Sequence, residues 1–411
     1  MNYEYFIAKR INSSKAYKSS ISAPIIKIGI AAIAIGIIVM MIAIATGIGL
    51  QQKIRDKVVA FNGHVTITNY DSNNSQESVF PVSSKQEFYP EFKSVEGIKH
   101  IQAVATKFGI IRTKTDFEGI VLKGVGADYN WNYFKDFLVE GTLPDFSKKR
   151  NEDVLISEYL AKRMGFTLGD KFNTYFVKED VNKPPNIISY TIVGIYNSGF
   201  QDLDATYVIG DIRHLQRINN WEKDQVGSFE VFLDDYDELT RKGVEIYQNT
   251  PSTFNTQTVT EKYYSIFEWI KIFDKNIYGI IGIMILVAGI NMITALLVLI
   301  LERTQMIGIL KSLGSHNWSI RKMFLYNATY LIFIGLFWGN IIGLGLLFAQ
   351  RNFKLFPLDP SVYYVTEAPV YISLSYIIAL NVGTLLLCLI MLLVPSYLIT
   401  KISPVKAMRF E

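Results

Sequence analysis

Four long apolar runs dominate the pattern of hydrophobic and polar positions along the chain. They cover residues 25–50, 277–301, 323–348 and 371–399. Each run is long enough to cross a bilayer as a helix, because about 20 apolar residues span the hydrocarbon core. The first run is too long for the core of a signal peptide and lacks a small-x-small cleavage site, so we predict an uncleaved first span. The pattern therefore predicts four transmembrane helices.

The long segment between the first two spans, residues 51–276, has the pattern of a folded domain. Apolar–polar alternation predicts strands there, and apolar residues at helical spacing predict helices. The predicted strands are 65–68, 119–125, 153–156, 171–177, 188–196, 206–209 and 229–233, and the predicted helices are 87–92, 157–164, 211–218 and 237–249. Ser157 is placed to cap the second of these helices, and Gly165 to end it. We expect a mixed α+β domain.

Both ends of this segment continue the helical pattern of the neighbouring spans. Residues 51–61 extend the first span, and Gly63 is placed to stop that helix. Residues 258–276 carry apolar side chains at helical spacing and lead into the second span. We predict two stalk helices that join the domain rigidly to the first two spans.

A short polar–apolar segment, residues 302–322, separates the second and third spans. Its charged residues Glu302, Arg303 and Lys311 are costly in hydrocarbon, so the segment is expected at the membrane surface. Its apolar residues Met306, Ile307, Leu310 and Leu313 recur at helical spacing, and Gly314 is placed at C′ to end the helix. The pattern predicts an amphipathic helix that either docks on a partner or rests on lipid headgroups.

The remaining segments are short. Residues 1–24 are basic, with Tyr3, Phe6, Ile7 and Ile11 on one helical face, which predicts an interfacial elbow helix or, alternatively, a disordered basic tail. Residues 349–370 are expected to form a short polar loop, and Ser403 and Pro404 to begin a final helix in the tail 400–411. In the third span, Gly335, Gly339 and Gly343 form a ridge of small residues that favours tight helix packing.

Charge sets the expected orientation. Of 411 residues, half are hydrophobic and only 19% are charged, a lower charged share than soluble proteins have. The segments 1–24, 302–322 and 400–411 together carry eleven Lys and Arg but three acids. The positive-inside rule places these segments and both termini in the cytoplasm, and residues 51–276 outside it. The rest of the chain has more acids than bases, so we expect no nucleic-acid partner.

No pattern of catalytic or metal-binding residues is visible. The single cysteine, Cys388, lies within the fourth run, so it has no disulfide partner in the chain. The four histidines are scattered, which predicts solvated or structural roles and no metal site. A phosphate-binding loop would need glycine at positions 305 and 310, where the chain has Gln305 and Leu310. We therefore expect no cofactor and no enzyme activity, with any ATP bound and hydrolysed by a separate subunit.

The order of residues in 302–304, 307–311 and 313–315 resembles the cytoplasmic coupling helix of the FtsX/MacB-type ABC-transporter permeases. Four spans with a large domain between the first and second is also the layout of that family. Further short sequence segments resemble those of the lipoprotein-releasing permeases of the LolC/LolE type. These segments are 6–10, 47–51, 54–57, 61–64, 122–125, 141–143, 157–161, 169–170, 193–196, 199–200 and 403–409. The resemblance covers nearly the whole chain and implies a MacB-like periplasmic core domain.

The resemblance implies a multi-pass protein of the bacterial inner membrane. It would pair with a second copy or a sister permease and with a LolD-like ABC ATPase, and would pass lipoproteins from the outer leaflet to a LolA-like periplasmic carrier. The ATPase contact would involve Glu302, Arg303, Met306, Ile307, Gly308, Leu310, Lys311, Leu313 and Gly314. The alternatives are an FtsX-like mechanotransmitting regulator of a cell-wall hydrolase and a MacB-like exporter.

Two further sites concern the cargo and its carrier. Ile44 and Ile48 lie at the outer end of the first span, where we expect lipoproteins to enter from membrane lipid. The alternative is that both residues contact only bulk lipid or a packed neighbour. The family's carrier-binding loop corresponds to residues 178–186, with Pro184 and Pro185. The loop is shorter here than in the family, and the prolines could instead only shape a turn.

Overall fold

The computed structural model describes residues 3–13, 23–72, 75–178 and 183–404. It separates into two compact units. The first contains Met1–Gln51, Trp269–Pro357 and Glu367–Glu411, and the second contains Gln52–Glu268 and Leu358–Thr366. We call the first the membrane unit and the second the ectodomain. The predicted final helix in the tail lies outside the described residues beyond position 404.

The elements are numbered in chain order. The α-helices are α1 (Tyr3–Ser13), α2 (Ala23–Asn62), α3 (Glu158–Met164), α4 (Gln201–Thr206), α5 (Ile212–Ile218), α6 (Leu239–Gln248), α7 (Val259–Lys262), α8 (Tyr264–Glu302), α9 (Thr304–Ser312), α10 (Asn317–Phe353), α11 (Pro360–Tyr363), α12 (Leu374–Ser396) and α13 (Leu398–Lys401). The strands are β1 (Val65–Asn69), β2 (Val82–Ser83), β3 (Ile98–Arg112), β4 (Phe117–Val125), β5 (Leu138–Gly141), β6 (Asp153–Ser157), β7 (Lys171–Phe176), β8 (Asn186–Tyr196), β9 (Tyr207–Asp211), β10 (Gln225–Val226), β11 (Ser228–Leu233) and β12 (Phe254–Thr258).

Four helical segments are long and apolar enough to cross a membrane. They are Pro24–Asn62, Tyr264–Glu302, Asn317–Phe353 and Leu374–Lys401. This confirms the four predicted spans. The helix α2 continues through residues 51–61, predicted as the first stalk, and ends before Gly63. Of the second predicted stalk, 258–276, α8 contains only the residues from Tyr264 onward, because Tyr263 adopts a non-helical conformation and separates α8 from the short helix α7.

The glycine ridge of the third span packs against the first span. A Cβ atom at Gly335 would lie 2.8 Å from Ile33, and one at Gly339 would lie 2.9 Å from the Cβ of Ile37. Real side chains do not approach this closely, so only glycine permits the observed distance between α2 and α10. Farther along the third span, the side-chain amides of Asn340 and Asn381 bond each other at 2.7 and 3.0 Å, a polar link between α10 and α12.

A ten-stranded mixed sheet forms the centre of the ectodomain. The strand order is β12-β1-β11-β3-β4-β9-β6-β8-β5, and β7 pairs with both β3 and β8. The pairs β4–β9 and β6–β8 are parallel, whereas β3 pairs antiparallel with β11, β4 and β7. The expected mixed α+β domain between the first and second spans is confirmed.

Most predicted elements of the ectodomain are present. Each of the seven predicted strands corresponds to an observed strand. Ser157 caps α3 by accepting the Leu160 N–H, and Gly165 ends that helix with φ +70°. The helix predicted at 87–92 is wrong, because those residues form turns around Pro90, which disfavours a helical residue before it. The long strand β3 was not predicted.

Candidate functional site

The helix α9 lies between the second and third spans, where the coupling helix was predicted. It ends in a Schellman motif, because the Gly314 N–H donates to the Lys311 carbonyl and the Ser315 N–H to the Leu310 carbonyl, both at 3.0 Å. Gly314 adopts φ +91°, which a side chain would disfavour. The predicted helix end at Gly314 is therefore confirmed.

One side of α9 packs inside the membrane unit and the other side is exposed. Ile307 is completely buried, and Gly308 and Leu310 are buried beside it. On the opposite side, Ile309 is 47% exposed and Leu313 is 78% exposed. A partner that docks on α9 therefore meets Ile309 and Leu313, whereas Ile307 holds α9 in place.

Lys311 fixes α9 to the end of the fourth span. Its Nζ donates to the carbonyl oxygens of Ile399, Thr400 and Ile402 at 2.7, 3.2 and 2.8 Å. These carbonyls lie at the C-terminal end of α13, where backbone acceptors lack helical partners and favour a cation. Lys311 thus ties the candidate coupling helix to the last span.

The other predicted coupling residues are distributed around α9. Met306 is half-buried against the apolar core of the membrane unit. Arg303 is half-buried at the junction between α8 and α9, and Glu302 is exposed at the end of α8. The residues predicted to contact the ATPase therefore fall into two groups. Some hold α9 in the membrane unit, and others are exposed on its surface, where a partner could contact them. The spacing of apolar residues alone could not separate the two groups.

The two residues predicted at the opening for cargo lie half-buried on α2. Ile44 lines a narrow cleft between the first, third and fourth spans, together with Met41, Leu347, Tyr376 and Leu380. The cavity in this cleft is about 20 Å³, close to the size of one water molecule. This cavity is therefore too small for an acyl chain, and Ile48 is not among its lining residues.

The predicted carrier loop joins β7 and β8, which form an antiparallel hairpin. Pro184 and Pro185 are exposed just before β8 begins. Residues 179–182 lie outside the described residues. The structure therefore places the two prolines at the surface of the ectodomain.

A buried polar network surrounds the point where α2 enters the ectodomain. The Lys123 ammonium donates to the Glu230 carboxylate and to the Phe61 carbonyl, each at 2.6 Å. Gln102 donates to the other Glu230 oxygen at 2.8 Å. Sequence reasoning missed this network, although a lysine within the apolar strand β4 is a signal of a buried cation.

The same point joins α2 to the start of the second stalk. The Asn62 side-chain oxygen accepts from the Lys262 Nζ at 3.1 Å and from the Tyr263 hydroxyl at 3.0 Å. Asn62 is the last residue of α2, and Lys262 and Tyr263 stand immediately before α8. The tips of both stalks therefore share one hydrogen-bonded cluster with the sheet.

His64 gives this region a pH dependence. Its Nδ1 accepts the Leu233 N–H at 3.1 Å, and burial lowers the pKa of the imidazole to about 4, with Arg55 and Lys99 acting in the same direction. Because the unfolded chain protonates His64 near pH 6.5 and the folded chain does not, stability from this group is full above pH 6.5 and is lost as the pH falls towards 4.

We expect the wild-type protein to lose up to about 3 kcal/mol of ectodomain stability across that range through His64. In His64→Asn, the side-chain oxygen can accept the same N–H but does not titrate, so this part of the pH dependence should disappear. Unfolding midpoints of the full chain between pH 4 and 7.5 measure it. His316→Asn makes the same substitution at an exposed position and controls for the substitution itself. Identical profiles for wild type and His64→Asn would contradict the assignment.

Two family models together match most of the chain. The model "FtsX-like permease C-terminal" matches residues 278–404, and "MacB-like periplasmic core domain" matches residues 28–261. A lipoprotein-releasing system transmembrane protein LolC from Xylella fastidiosa is 21% identical over 99% of this chain and 97% of its own length. A LolC protein from Buchnera aphidicola is 24% identical over 94% of each chain. The extracellular domain of the transporter YknZ from Gram-positive bacteria matches with a TM-score of 0.32 and 14% identity, covering 47% of this chain and 99% of that domain.

Proposed function

The chain belongs to the ABC-transporter permeases that combine an FtsX-like permease region with a MacB-like periplasmic core domain, and we propose that it works in lipoprotein release. In this proposal, it extracts lipoproteins from the outer leaflet of the inner membrane and passes them to a periplasmic carrier. A separate ATPase subunit supplies the energy. A second permease chain, identical or related, completes the complex.

One observation carries the proposal. The similarity to the LolC protein from Xylella fastidiosa extends over 99% of this chain and 97% of that protein. Both the membrane spans and the ectodomain are therefore included, which a relationship through the permease region alone would not produce.

The exposed side of α9 supports an ATPase partner. Ile309 and Leu313 are large apolar side chains at the surface of the segment expected in the cytoplasm. Lying four residues apart on one helix, they form a contiguous exposed apolar surface, the kind of surface that marks an interaction site. We propose that the ATPase covers these two side chains. Movement of the ATPase would then shift α9, and Lys311 would transmit that shift to the fourth span.

The test of this function is capture of cargo at the outer end of the first span. We expect photo-crosslinkers at Ile44 and Ile48 to capture lipidated protein in the assembled complex, and ATP hydrolysis to weaken the capture. The reason is that both residues lie where an apolar surface can meet the outer leaflet. Ile35, which is 57% exposed on the same helix, is the matched control and should capture mainly phospholipid.

Release is then measured with purified complex in vesicles that contain a lipoprotein, with a soluble carrier outside. We expect ATP-dependent transfer of the lipoprotein to the carrier. Equal capture at all three positions, unchanged by ATP, together with no transfer, would contradict the proposal. Activation of a cell-wall hydrolase by the same complex would favour the regulator.

A further inference from the structure

The loop between the third and fourth spans contains a segment that packs with the ectodomain. Leu358–Thr366 belongs to the same compact unit as residues 52–268. The Leu358 N–H donates to the Thr366 carbonyl at 3.0 Å, which closes the segment, and the short helix α11 forms its tip. Sequence reasoning predicted only a short polar loop at 349–370.

Tyr364 makes the central apolar contact of this segment. Its ring stacks on Phe200, with ring centroids 4.4 Å apart and planes 16° from parallel. Phe200 is 1% exposed, and Val365 is buried beside Tyr364. Tyr364 also has φ +57°, a backbone conformation that is strained for a residue other than glycine. Packing of this kind is needed to hold such a residue in place.

Lys57 of α2 makes the polar contact. Its Nζ donates to the Tyr364 carbonyl at 2.9 Å, and the lysine is only 9% exposed. A Cβ atom at Gly199 would lie 2.9 Å from this Nζ, so the glycine leaves the room that the ammonium needs. A buried ammonium is stable only with partners of this kind, because removing it from water is costly.

Asp204 supplies a negative charge in the same cluster. It is buried, and its carboxylate accepts the Ser198 hydroxyl at 2.6 Å and the Ser198 N–H at 3.2 Å. Burial raises the pKa of Asp204 to about 6, while the bonds from Ser198 and the charge of Lys57 act in the opposite direction. The charge of Asp204 therefore acts favourably on the buried ammonium of Lys57, which itself bonds the carbonyl of the loop.

We propose that Leu358–Thr366 is a third attachment of the ectodomain, in addition to the two stalks, and that Lys57 is the positioning residue that holds it. Movement of the third and fourth spans then reaches the ectodomain directly through this loop. The stalks continue the first and second spans, so this loop is the direct chain connection of the third and fourth spans to the ectodomain. The role in transport rests on the proposed function, whereas the attachment itself does not.

The attachment is tested by amide hydrogen exchange on the assembled complex. In Lys57→Met, which keeps the length of the side chain but removes the donor, exchange of the amides in 358–366 should rise about tenfold, as expected for losing one hydrogen bond from a charged group. Lys57→Arg, which restores a donor, should return most of the protection. Lys53→Met is the matched control one turn away on the same helix, where the lysine is exposed, and should change nothing.

The coupling role is tested by the amount of lipoprotein released per ATP hydrolysed. We expect this ratio to fall at least about fivefold in Lys57→Met, with hydrolysis retained, and to recover in Lys57→Arg. Unchanged exchange in the loop, or faster exchange throughout the ectodomain, would overturn the positioning role of Lys57. If exchange in 358–366 rises but the amount of lipoprotein released per ATP stays unchanged, the loop does not couple the spans to the ectodomain. If wild type releases no lipoprotein, the proposed function fails, and exchange alone decides the attachment.

Discussion

Replacing Lys123 by methionine should strongly destabilise the ectodomain. Lys123 is 1% exposed, and its ammonium lies 2.6 Å from the carboxylate of Glu230, which is also buried. Removing the lysine leaves that carboxylate in the interior with the Gln102 amide as its remaining side-chain donor among the described residues. Breaking one partner of a buried ion pair typically costs about 3–5 kcal/mol, so we expect a loss of that size.

Two comparison variants isolate the cause. The double variant Lys123→Met with Glu230→Gln removes both charges, so it should be clearly more stable than Lys123→Met alone. Lys162 makes an ion pair of the same length, 2.6 Å, with Glu158 at the surface. Lys162→Met should cost less than about 1 kcal/mol, because exposed pairs contribute little.

The measurement is the unfolding transition of the full chain in detergent, followed by denaturant or heat. A cost for Lys123→Met as small as that for Lys162→Met would contradict a buried, paired charge. Lys123 also donates to the Phe61 carbonyl near the end of α2, so its loss should loosen the connection between the first stalk and the sheet. Faster hydrogen exchange at the end of α2 would report that loosening.

The spans could be predicted because the membrane imposes a simple rule on sequence. A helix in hydrocarbon needs about 20 apolar residues in succession, and this signal depends on no other part of the fold. Helix ends were also readable where local chemistry decides them, as at Gly63 and Gly314, which both adopt positive φ. These features depend on neighbours in sequence.

The features that were missed depend on neighbours in space. The strand β3 was hidden because residues 101–105 are buried on both faces and show no alternation. Within the wrongly predicted helix 87–92, the rings of Phe88 and Phe92 do pack together, with centroids 5.5 Å apart. The spacing of these two residues indicated correctly that both are buried. It did not indicate a helix, because Pro90 disfavours a helical conformation of the residue before it.

At the candidate site, too, some features depend on neighbours in sequence and others on neighbours in space. The position and the end of α9 followed from sequence, but the side that it presents did not, because its apolar residues cover a broad arc of the helix and only part of that arc is buried. The attachment at Tyr364 left no pattern at all, since it depends on one ring, one carbonyl and one lysine far away in sequence. Only packing could identify Lys57 and the buried side of α9.

The packing of α9 leads to the second large effect, on assembly with the ATPase. In the double variant Ile309→Asp with Leu313→Asp, both new carboxylates lie in water in the permease alone, because these positions are 47% and 78% exposed. The permease should therefore fold and insert normally. In a closed interface with the ATPase the same carboxylates would be buried without partners, which costs several kcal/mol. We expect the ATPase to be lost on purification and ATP-driven release to stop.

Ile307→Asp gives the contrasting result, because Ile307 is completely buried in the membrane unit. A carboxylate there disrupts the permease itself, so loss of the ATPase in that variant would say nothing about docking. Val244→Asp is the matched control, an exposed apolar position of the ectodomain at 55%, and should leave assembly unchanged. The measurements are the amount of ATPase recovered with the tagged permease, and its rate of ATP hydrolysis. Full recovery with the double variant would mean that the outer side of α9 rests on lipid, and that the ATPase docks elsewhere.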